Sequence, residues 1–311
     1  MELRQLRYFV AIVDHGSLSR AAQVLHVAQP ALTQQLRQLE EELGAQLLHR
    51  SAQGVLSTDA GKVFYEHAQA ILKQVADAKS AVTQSATRPS GSVTLGLPHS
   101  ISGALALPLL MAARAQYPEI TLQLTEELTG NLNDQLKSGR VNLAVLFDDG
   151  QLGPFSCTPL ADEEMRFICR VDAAYARGQG TLSLEQALAA TLILPGLQHG
   201  VRPRIEGVAR AAGLTPGRVI EINSIAILKS AILADMGATI LPVAPVLAEL
   251  ERGLMRSHRI DRPAMSRTVV LCASKNIPLT NAAAAVSRLV QQVSAELCAS
   301  GAWLGATPLP A

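Results

Sequence analysis

The polar side chains best suited to reading nucleic acid lie on one face of a predicted helix near the amino terminus. That face carries Gln29, Thr33, Gln34, Arg37 and Gln38. Gln can form two hydrogen bonds with adenine and Arg can form two with guanine, while Thr33 can reach a base edge or a phosphate. We predict that this face enters a groove of duplex DNA. The alternative is an amphipathic helix whose polar face is only solvated, and the spacing alone does not exclude it.

Two short helices separated by a tight turn are predicted to position this face. Ser17 is a good N-cap for the first helix, because its hydroxyl can accept from a free backbone N–H. Pro30 opens the second, where its fixed φ suits the first helical turn. The second helix has an apolar stripe at spacings of four, three and four residues, formed by Leu32, Leu36, Leu39 and Leu43. Two such helices are typical of a helix-turn-helix.

The segment from Leu6 to Gly61 resembles the N-terminal domain of LysR-type transcriptional regulators. The matching pieces occur in the family's order: Leu6-Arg7-Tyr8-Phe9, Gly16-Ser17-Leu18, Ala21-Ala22, Leu25, Gln29-Pro30-Ala31-Leu32-Thr33, Leu39-Glu40, Leu43-Gly44, Leu47-Leu48, Arg50 and Thr58-Asp59-Ala60-Gly61. Within the family, the phrase around Pro30 is most similar to the nitrogen-assimilation-control branch. Many members carry Ser or Thr at the position of Ala28, and Ser at the position of Thr33.

The resemblance implies a winged helix-turn-helix over residues 1–58 that binds double-stranded promoter DNA. Two short strands on either side of a polar turn at Ser51-Ala52-Gln53 are expected to form the wing. The expected DNA contacts are Ser17, Ser19, Arg20, Gln29, Pro30, Ala31, Thr33, Gln34, Arg37, Arg50 and Thr58. For Arg50 a surface ion pair is the alternative, and we favour contact with DNA.

Residues 59–88 are predicted to form a linker helix that joins copies of the chain. At ~1.5 Å per residue the helix is a rod of ~45 Å, and Thr58 is placed to cap it. Apolar side chains repeat in heptads, and the predicted dimerisation seam consists of Phe64, Ala68, Ile71, Val75, Ala78 and Val82. Because a single rod cannot bury this seam, we expect a homodimer or homotetramer. Packing against the chain's own C-terminal domain is the alternative.

After a predicted hinge at Arg88-Pro89-Ser90-Gly91, short apolar runs alternate with amphipathic helices. This alternation favours an α/β fold with a parallel sheet. In the family, the region resembles a type 2 periplasmic-binding-protein fold, in which two α/β lobes flank a ligand cleft. The resemblance implies an effector-binding domain over residues 92–300. Its expected parts are lobe I at 92–160 and 267–297, and lobe II at 161–263.

The expected ligand site lies where strands end and helices begin, because free N–H groups there favour anions. His199-Gly200 and Asn223-Ser224 precede helices in this way, as do segments after the first two strands of the domain. The residues expected to contact a small carboxylate or oxyanion are Pro98, His99, Ser100, Ser102, Thr129, Gly130, Arg202 and Ser224. Each hydroxyl can equally be an ordinary N-cap, and one residue can do both.

Charge and cysteine spacing argue against several other classes of protein. The 311-residue chain has a net charge of +1, and its first 58 residues hold five Arg and five acidic residues. DNA affinity must therefore come from a few placed cations, helix N-termini and dimerisation. The four cysteines have no CxxC spacing, so no zinc is expected; they are Cys157, Cys169, Cys272 and Cys298. Three of them sit in apolar settings, which are typical of a buried free thiol. No cysteine lies between Cys169 and Cys272, which argues against the paired-thiol peroxide sensing of one branch of the family.

Further expectations concern location and chemistry. The most apolar region, from Ile225 to Leu250, is interrupted by charged residues and prolines and is not expected to span a membrane. No signal segment follows Met1, which predicts a cytoplasmic protein. Hydrolase, P-loop, zinc-protease and dinucleotide motifs are absent, so neither an enzyme nor a cofactor is expected. The tail from Ala302 is expected to be loose.

The resulting prediction is a LysR-type transcriptional regulator whose DNA-binding heads respond to a small, anionic effector through lobe closure. Promoter DNA, the effector, further copies of the chain and RNA polymerase are the expected partners. Two alternatives remain open at this point. One is a small-molecule-binding protein whose N-terminal helices serve only assembly. The other is a DNA-binding regulator with no effector, whose C-terminal domain only oligomerises.

Overall fold

The computed structural model describes residues 1–51, 54–83, 88–150, 152–174, 180–197 and 199–309. The chain divides into two compact units. The first unit holds Met1–Thr83, to which Ser138–Arg140 are counted, and the second holds the remaining residues. Each unit has its own hydrophobic core, and each is described by itself below.

The first unit consists of four helices and a two-stranded wing. In chain order its elements are α1 (Leu3–His15), α2 (Leu18–Val24), α3 (Gln29–Leu43), β1 (Leu48–Ser51), β2 (Gly54–Ser57) and α4 (Asp59–Thr83). The two strands pair antiparallel. Leu6, Phe9 and Ile12 of α1 form the centre of the core, because they follow one another on one helical face. The winged helix-turn-helix predicted from the sequence is confirmed.

The apolar stripe of α3 is buried along most of its length. Leu32, Leu36 and Leu39 are at most 2% exposed, whereas Leu43 is 40% exposed. Leu43 therefore belongs to the stripe but lies outside the core. Its position explains the exposure, because the helix ends at once in the left-handed conformation of Gly44 (φ 63°) and the last turn projects beyond the core.

The wing is tied to the turn that follows α1. The backbone N–H of Val55 donates to the carbonyl of Gly16 at 2.9 Å. Gly54 adopts a φ of 129°, and a Cβ at this position would lie 2.8 Å from the carbonyl oxygen of Gly16. Only glycine permits both the conformation and the close approach, so the wing is held in a fixed place beside the helix-turn-helix.

The second unit is built from alternating strands and helices. They are β3 (Gly91–Pro98), α5 (His99–Gln116), β4 (Ile120–Glu127), α6 (Thr129–Ser138), β5 (Leu143–Phe147), β6 (Phe155–Glu164), β7 (Arg166–Arg170), β8 (Thr181–Ser183), α7 (Leu184–Ala189), β9 (Leu192–Leu194), α8 (Val201–Ala211), β10 (Val219–Glu221), α9 (Ile225–Leu233), β11 (Thr239–Leu241), α10 (Leu247–Glu251), β12 (Met255–Asp261), β13 (Ser266–Ser274), α11 (Asn281–Ala299) and β14 (Ala306–Pro308).

Two lobes follow from the sheets. Lobe I has a six-stranded sheet in the order β14-β6-β13-β5-β3-β4, and lobe II has a four-stranded sheet in the order β11-β7-β12-β8 beside a parallel pair, β9 and β10. The chain passes from lobe I to lobe II where β6 leads into β7, and it returns where β12 leads into β13. The two-lobed architecture that the resemblance implied is confirmed.

The sheet of lobe I is mixed, which corrects the expectation of a parallel sheet. β3 pairs parallel with β4 and β5, but β13 pairs antiparallel with both β5 and β6. The alternation of strands and helices accounts only for the first three strands. β6 and β13 connect the lobes, so they enter the sheet without a crossover helix between them and neighbouring strands.

The C-terminal tail is packed rather than loose over its described residues. Trp303 is 1% exposed within the core of lobe I, and β14 pairs antiparallel with β6. The indole Nε1 donates to Oε1 of Glu163 at 2.9 Å. One large aromatic side chain therefore anchors a segment that its prolines marked as irregular.

The structure contains a disulfide, whereas the sequence led us to interpret three of the four cysteines as buried free thiols. Cys157 and Cys272 are register partners on β6 and β13 and form a disulfide. Cys169 and Cys298 are buried free thiols, as expected, and burial raises the pKa of Cys169 to about 11. Within the described ranges, no group of three or more His, Cys, Asp or Glu side chains is arranged to hold a metal ion. None of the helices described is both long and apolar enough to cross a membrane.

Candidate functional site

The face of α3 predicted to read DNA is exposed. Gln29, Pro30, Ala31, Gln34 and Arg37 are all exposed, and Thr33 is half-buried. Gln29 Nε2 donates to the hydroxyl of Thr33 at 3.1 Å, one turn further along the helix. The buried leucines on the opposite side fix the helix to the core, so this polar face is presented to solvent as a rigid surface.

The other predicted DNA contacts differ in how their polar groups are used. The hydroxyl of Ser17 accepts from the backbone N–H of Arg20 at 3.4 Å and caps α2, while Ser19 and Arg20 are exposed. The hydroxyl of Thr58 donates to the carbonyl of Gln46 at 2.7 Å and accepts from the N–H of Gly61 at 2.9 Å. Thr58 is thus engaged in capping α4. The side chain of Arg50 and the turn at residues 52 and 53 lie outside the described part of the chain.

The predicted seam on α4 is divided between two environments. The ring of Phe64 packs edge-on against Phe9 with centroids 5.1 Å apart, and Ala68 is fully buried in the same core. These two residues face the core of their own unit, which corrects their assignment to a contact with a second copy. Further along, Ile71 is 38% and Val82 is 87% exposed. The exposed part of the predicted seam therefore begins at Ile71.

A cleft lies between the two lobes, at the carboxyl ends of several strands. Its space measures ≈ 480 Å³ with the open mouth included. The residues that line it are Pro98, His99, Ser100, Glu127, Leu128, Thr129, Phe147, Pro195, His199, Gly200, Val201, Ile222, Asn223, Ser224, Ile225, Leu228 and Leu241. Lobe I contributes the first turns of α5 and α6, and lobe II contributes those of α8 and α9. The N-terminal turns of four helices, where backbone N–H groups lack intrahelical partners, therefore line one space.

The floor of the cleft rests on a buried ion pair. Arg267 and Glu163 are 5% and 0% exposed, and Arg267 donates to Oε2 of Glu163 from Nη2 at 2.6 Å and from Nε at 2.9 Å. The guanidinium lies 3.7 Å from the centroid of Phe147, and Nη2 also donates to the hydroxyl of Ser100 at 2.9 Å. Burial lowers the pKa of Arg267, and the charge of Glu163 opposes that shift. The ion pair thus holds two residues of the lining, Ser100 and Phe147, in place.

On the side of lobe II, the cleft is lined by a buried histidine, His199. It is 5% exposed, and its Nδ1 is buried with no hydrogen-bond partner among the described residues. Burial lowers the pKa of His199, and His99 acts in the same direction, while Glu221 opposes it. The ring is therefore neutral at physiological pH, with one nitrogen that donates and one that accepts.

Two family models together cover almost the whole chain. Residues 3–62 match the bacterial regulatory helix-turn-helix protein of the lysR family, and residues 86–295 match the LysR substrate binding domain. The chain belongs to the LysR family. It is a DNA-binding transcriptional regulator of LysR type with an effector-binding domain, as the resemblance of its first 61 residues indicated.

Individual relatives agree with this assignment. The chain is 38% identical over 296 residues to the nitrogen assimilation regulatory protein nac of Escherichia coli, covering 94% of this chain and 95% of that protein. It is 30% identical over 279 residues to a hydrogen peroxide-inducible genes activator of Pectobacterium carotovorum, covering 90% and 92%. These relatives of the LysR-type regulator are themselves regulators rather than enzymes.

Solved structures of full-length proteins share the fold. A full-length OxyR variant from Pseudomonas aeruginosa has a TM-score of 0.68 at 21% identity, covering 100% of this chain and 99% of that one. Full-length CbnR, solved in complex with its target DNA, has a TM-score of 0.70 at 23% identity, covering 94% and 100%. At this level of identity the similarity shows the fold of a LysR-type regulator and nothing finer.

The cleft of this LysR-type regulator contains some of the predicted effector contacts and omits others. Those that line it are Pro98, His99, Ser100, Thr129 and Ser224. Gly130 is absent from the lining. Arg202 is also absent, because it forms ion pairs with Glu206 at 2.8 Å and Glu221 at 3.1 Å. Ser102 lies at an outer mouth of the cleft, where its hydroxyl donates to Glu126.

Sequence reasoning missed the apolar walls and one charged group. Phe147, Pro195, Ile222, Leu228 and Leu241 enclose the space, and the carboxylate of Glu127 lies beside them. The apolar residues read as ordinary core positions of strands and helices, so their sequence carried no separate signal. Glu127 was recognisable from its position, because it is the last residue of β4 and lies two residues before α6 begins at Thr129.

Proposed function

We propose that this LysR-type regulator binds promoter DNA through the exposed face of α3, with Gln29, Gln34 and Arg37 contacting bases. The observation that supports this role is the division of α3 into a buried leucine side and an exposed Gln/Arg side. Amide and guanidinium groups on a rigid helix are suited to two-point hydrogen bonding with base edges in the major groove.

A gel-shift assay with the DNA beside the protein's own gene tests this proposal. Arg37→Ala should weaken binding by about 1–3 kcal/mol at fixed salt, because one two-point contact to guanine is lost. Arg4→Ala is the matched control, since Arg4 is an exposed arginine on α1 that pairs with Glu2 at 3.2 Å. Equal affinity of the Arg37→Ala variant and the control would remove Arg37 from the interface.

We propose further that the regulator acts as a homodimer or homotetramer. The stripe from Ile71 to Val82 on α4 is apolar and exposed, and α5 in the second unit exposes Leu107, Leu110 and Met111. One surface suffices for a dimer, and two allow a tetramer. Ile71→Asp should yield monomers that no longer bind DNA, as measured by sedimentation; an intact dimer that still binds would exclude the α4 stripe as the contact.

The effector is proposed to be a small molecule that bears a carboxylate or another oxyanion and that binds in the cleft. Support comes from the four helix N-termini, the hydroxyl of Ser100 and the buried His199. Ligand binding would change lobe closure and thereby DNA binding. A thermal-shift screen of carboxylates, amino acids and oxyanions tests it, and the absence of any hit would favour a regulator without an effector. We also propose that the protein acts in the cytoplasm, where promoter DNA lies, with RNA polymerase as a further partner.

A further inference from the structure

The described residues that line the cleft include a negatively charged side chain but no Lys or Arg. That side chain is the carboxylate of Glu127. The nearby Arg202 is paired with Glu206 and Glu221, and Arg267 is paired with Glu163 behind the floor. A ligand that brought only a negative charge would therefore meet Glu127 without any compensating free cation in the lining.

Only one of the two carboxylate oxygens of Glu127 accepts a hydrogen bond from a described residue. Asn131 Nδ2 donates to Oε2 of Glu127 at 3.0 Å, and Oε1 has no hydrogen-bond partner within the part of the chain that the structure describes. The residue is half-buried at the end of β4 and lines the cleft, so its carboxylate is available as an acceptor for a donor there. A cationic donor suits it best, because such hydrogen bonds are about twice as strong as neutral ones.

The complementary donors lie one strand away. Pro98 at the end of β3 is the register partner of Glu127 at the end of β4. Neighbouring strands are about 4.8 Å apart, so Pro98 and Glu127 are adjacent, and the first turn of α5 follows directly after Pro98. Ser100 in this turn accepts from Arg267, which leaves its own proton to donate into the cleft. Lobe I therefore has a subsite for an anion at the first turn of α5 and, next to it, a subsite for a cation at Glu127.

Lobe II supplies a polar group that still lacks a partner. His199 is only 5% exposed, and its Nδ1 is buried without a hydrogen bond from any described residue. Buried polar groups are nearly always hydrogen-bonded, so this nitrogen is available to an atom of a bound ligand. The walls between the polar groups are Phe147, Ile222, Leu228 and Leu241, which suit an apolar substituent.

We propose that the effector is a small zwitterion of the α-amino-acid type with an apolar side chain, whose carboxylate binds at the start of α5 and whose ammonium binds Glu127. The inference rests on the proposed effector function of the cleft and narrows it. A carboxylate and an ammonium on one carbon match two subsites one strand apart, and the apolar side chain fills the remaining walls. His199 closes the site from lobe II.

The test is calorimetric titration of the full-length protein with L-alanine, L-valine, L-leucine and L-phenylalanine. For the tightest of these, the analogue without the ammonium and the analogue without the carboxylate are titrated in parallel; for leucine they are 4-methylpentanoate and 3-methylbutylamine. We expect at least one amino acid to bind and both analogues to bind at least ~10-fold more weakly. A carboxylate that binds as tightly as its amino acid would overturn the zwitterion while leaving an effector cleft in place.

A single substitution isolates the ammonium subsite. Glu127→Gln keeps the shape and the contact with Asn131 but removes the charge, so the preference for the amino acid over its carboxylate analogue should fall ~10-fold. Glu251→Gln, at an exposed carboxylate on α10, is the control and should keep the wild-type preference. An unchanged preference in Glu127→Gln would overturn the proposal, as would a panel in which no amino acid binds. DNA binding in the gel shift is measured separately, so its loss or survival reports on the proposed function alone.

Discussion

The exposed polar face of α3, which we propose contacts DNA, and the floor of the cleft both present polar side chains, but the protein holds them in opposite ways. On α3, Gln34 and Arg37 are exposed, and the helix is fixed by the leucines behind them. In the cleft, Ser100 is held by Arg267, which is itself buried against Glu163 and Phe147. On α3 the polar side chains are separate from the core that stabilises the helix. In the cleft the polar side chains are part of a buried network that also stabilises the fold.

This difference predicts how each region responds to substitution. An exposed polar residue on a well-anchored helix can be replaced at little cost in folding free energy, because its side chain leaves no buried group unpaired. A member of a buried ion pair cannot, because its removal strands a charge in a medium of low dielectric. DNA-binding variants should therefore stay folded, while variants of the cleft floor should lose stability and ligand binding together.

The largest expected effect is at the ion pair. Arg267→Met keeps most of the volume and the contact with Phe147 but leaves Glu163, which is 0% exposed, without its cation. We expect the free energy of unfolding of the second unit to fall by about 3–5 kcal/mol, as measured by urea denaturation.

Arg259→Met is the matched control for this prediction. Arg259 pairs with Glu164 at 3.2 Å, next in sequence to Glu163, but its side chain is 66% exposed. An exposed pair contributes about 0–1 kcal/mol, so this variant should unfold close to the wild type. Similar losses in both variants would mean that burial is not what distinguishes the cleft floor.

A comparison within α3 sharpens the contrast between its two sides. Leu36→Ala removes a side chain that is 2% exposed and should cost about 2–5 kcal/mol, because it opens a cavity in the core of the first unit. Leu43→Ala, at the 40% exposed end of the same predicted stripe, should cost well under half as much. Circular dichroism during urea unfolding measures both. Equal costs would show that the core extends to the end of the helix.

The contrast also explains what could be predicted from the sequence. The helix-turn-helix was found because its signals are local: an N-cap at Ser17, a helix start at Pro30 and leucines at helical spacing all lie within 30 residues. The helices α5, α6, α8 and α9 were also predicted from local signals, although the predicted starts of α5 and α6, at Ser102 and Asn131, lie beyond the observed starts at His99 and Thr129. The predicted ligand residues Pro98, His99, Ser100, Thr129 and Ser224 lie at these starts and line the cleft.

The floor of the cleft could not be predicted in this way, because its contacts join distant parts of the chain. Arg267 meets Ser100 across 167 positions, and Trp303 meets Glu163 across 140. The pairing of Cys157 with Cys272 likewise requires the register of β6 and β13. β6 itself escaped detection, since its half-polar sequence lacks the apolar run of the other strands. Arg202 was assigned to the ligand by its place before a helix, but nearby carboxylates bind it instead.

A substitution in the packed C-terminal tail should have an effect of intermediate size on the free energy of unfolding. Trp303→Phe keeps an aromatic ring in the core but removes the N–H that donates to Glu163. Leaving a buried carboxylate oxygen without this donor should cost about 1–3 kcal/mol in the free energy of unfolding. Leu304→Ala, at the 42% exposed neighbour, is the control and should change stability by less than about 0.5 kcal/mol. Equal effects would contradict an anchoring role for the indole.

The smallest expected effect concerns pH and His199. Burial lowers the pKa of His199 below its ordinary 6.5. Between pH 6.5 and the lowered pKa the unfolded chain holds a proton that the folded protein does not, so stability rises with pH across this window and its full value is reached above 6.5. His199→Asn cannot titrate and should lose less stability than the wild type when urea unfolding is compared at about pH 7.5 and pH 5.5. A variant that declines in parallel with the wild type would show that His199 is as readily protonated in the cleft as in water, and a neutral ring could then no longer be part of the ligand site.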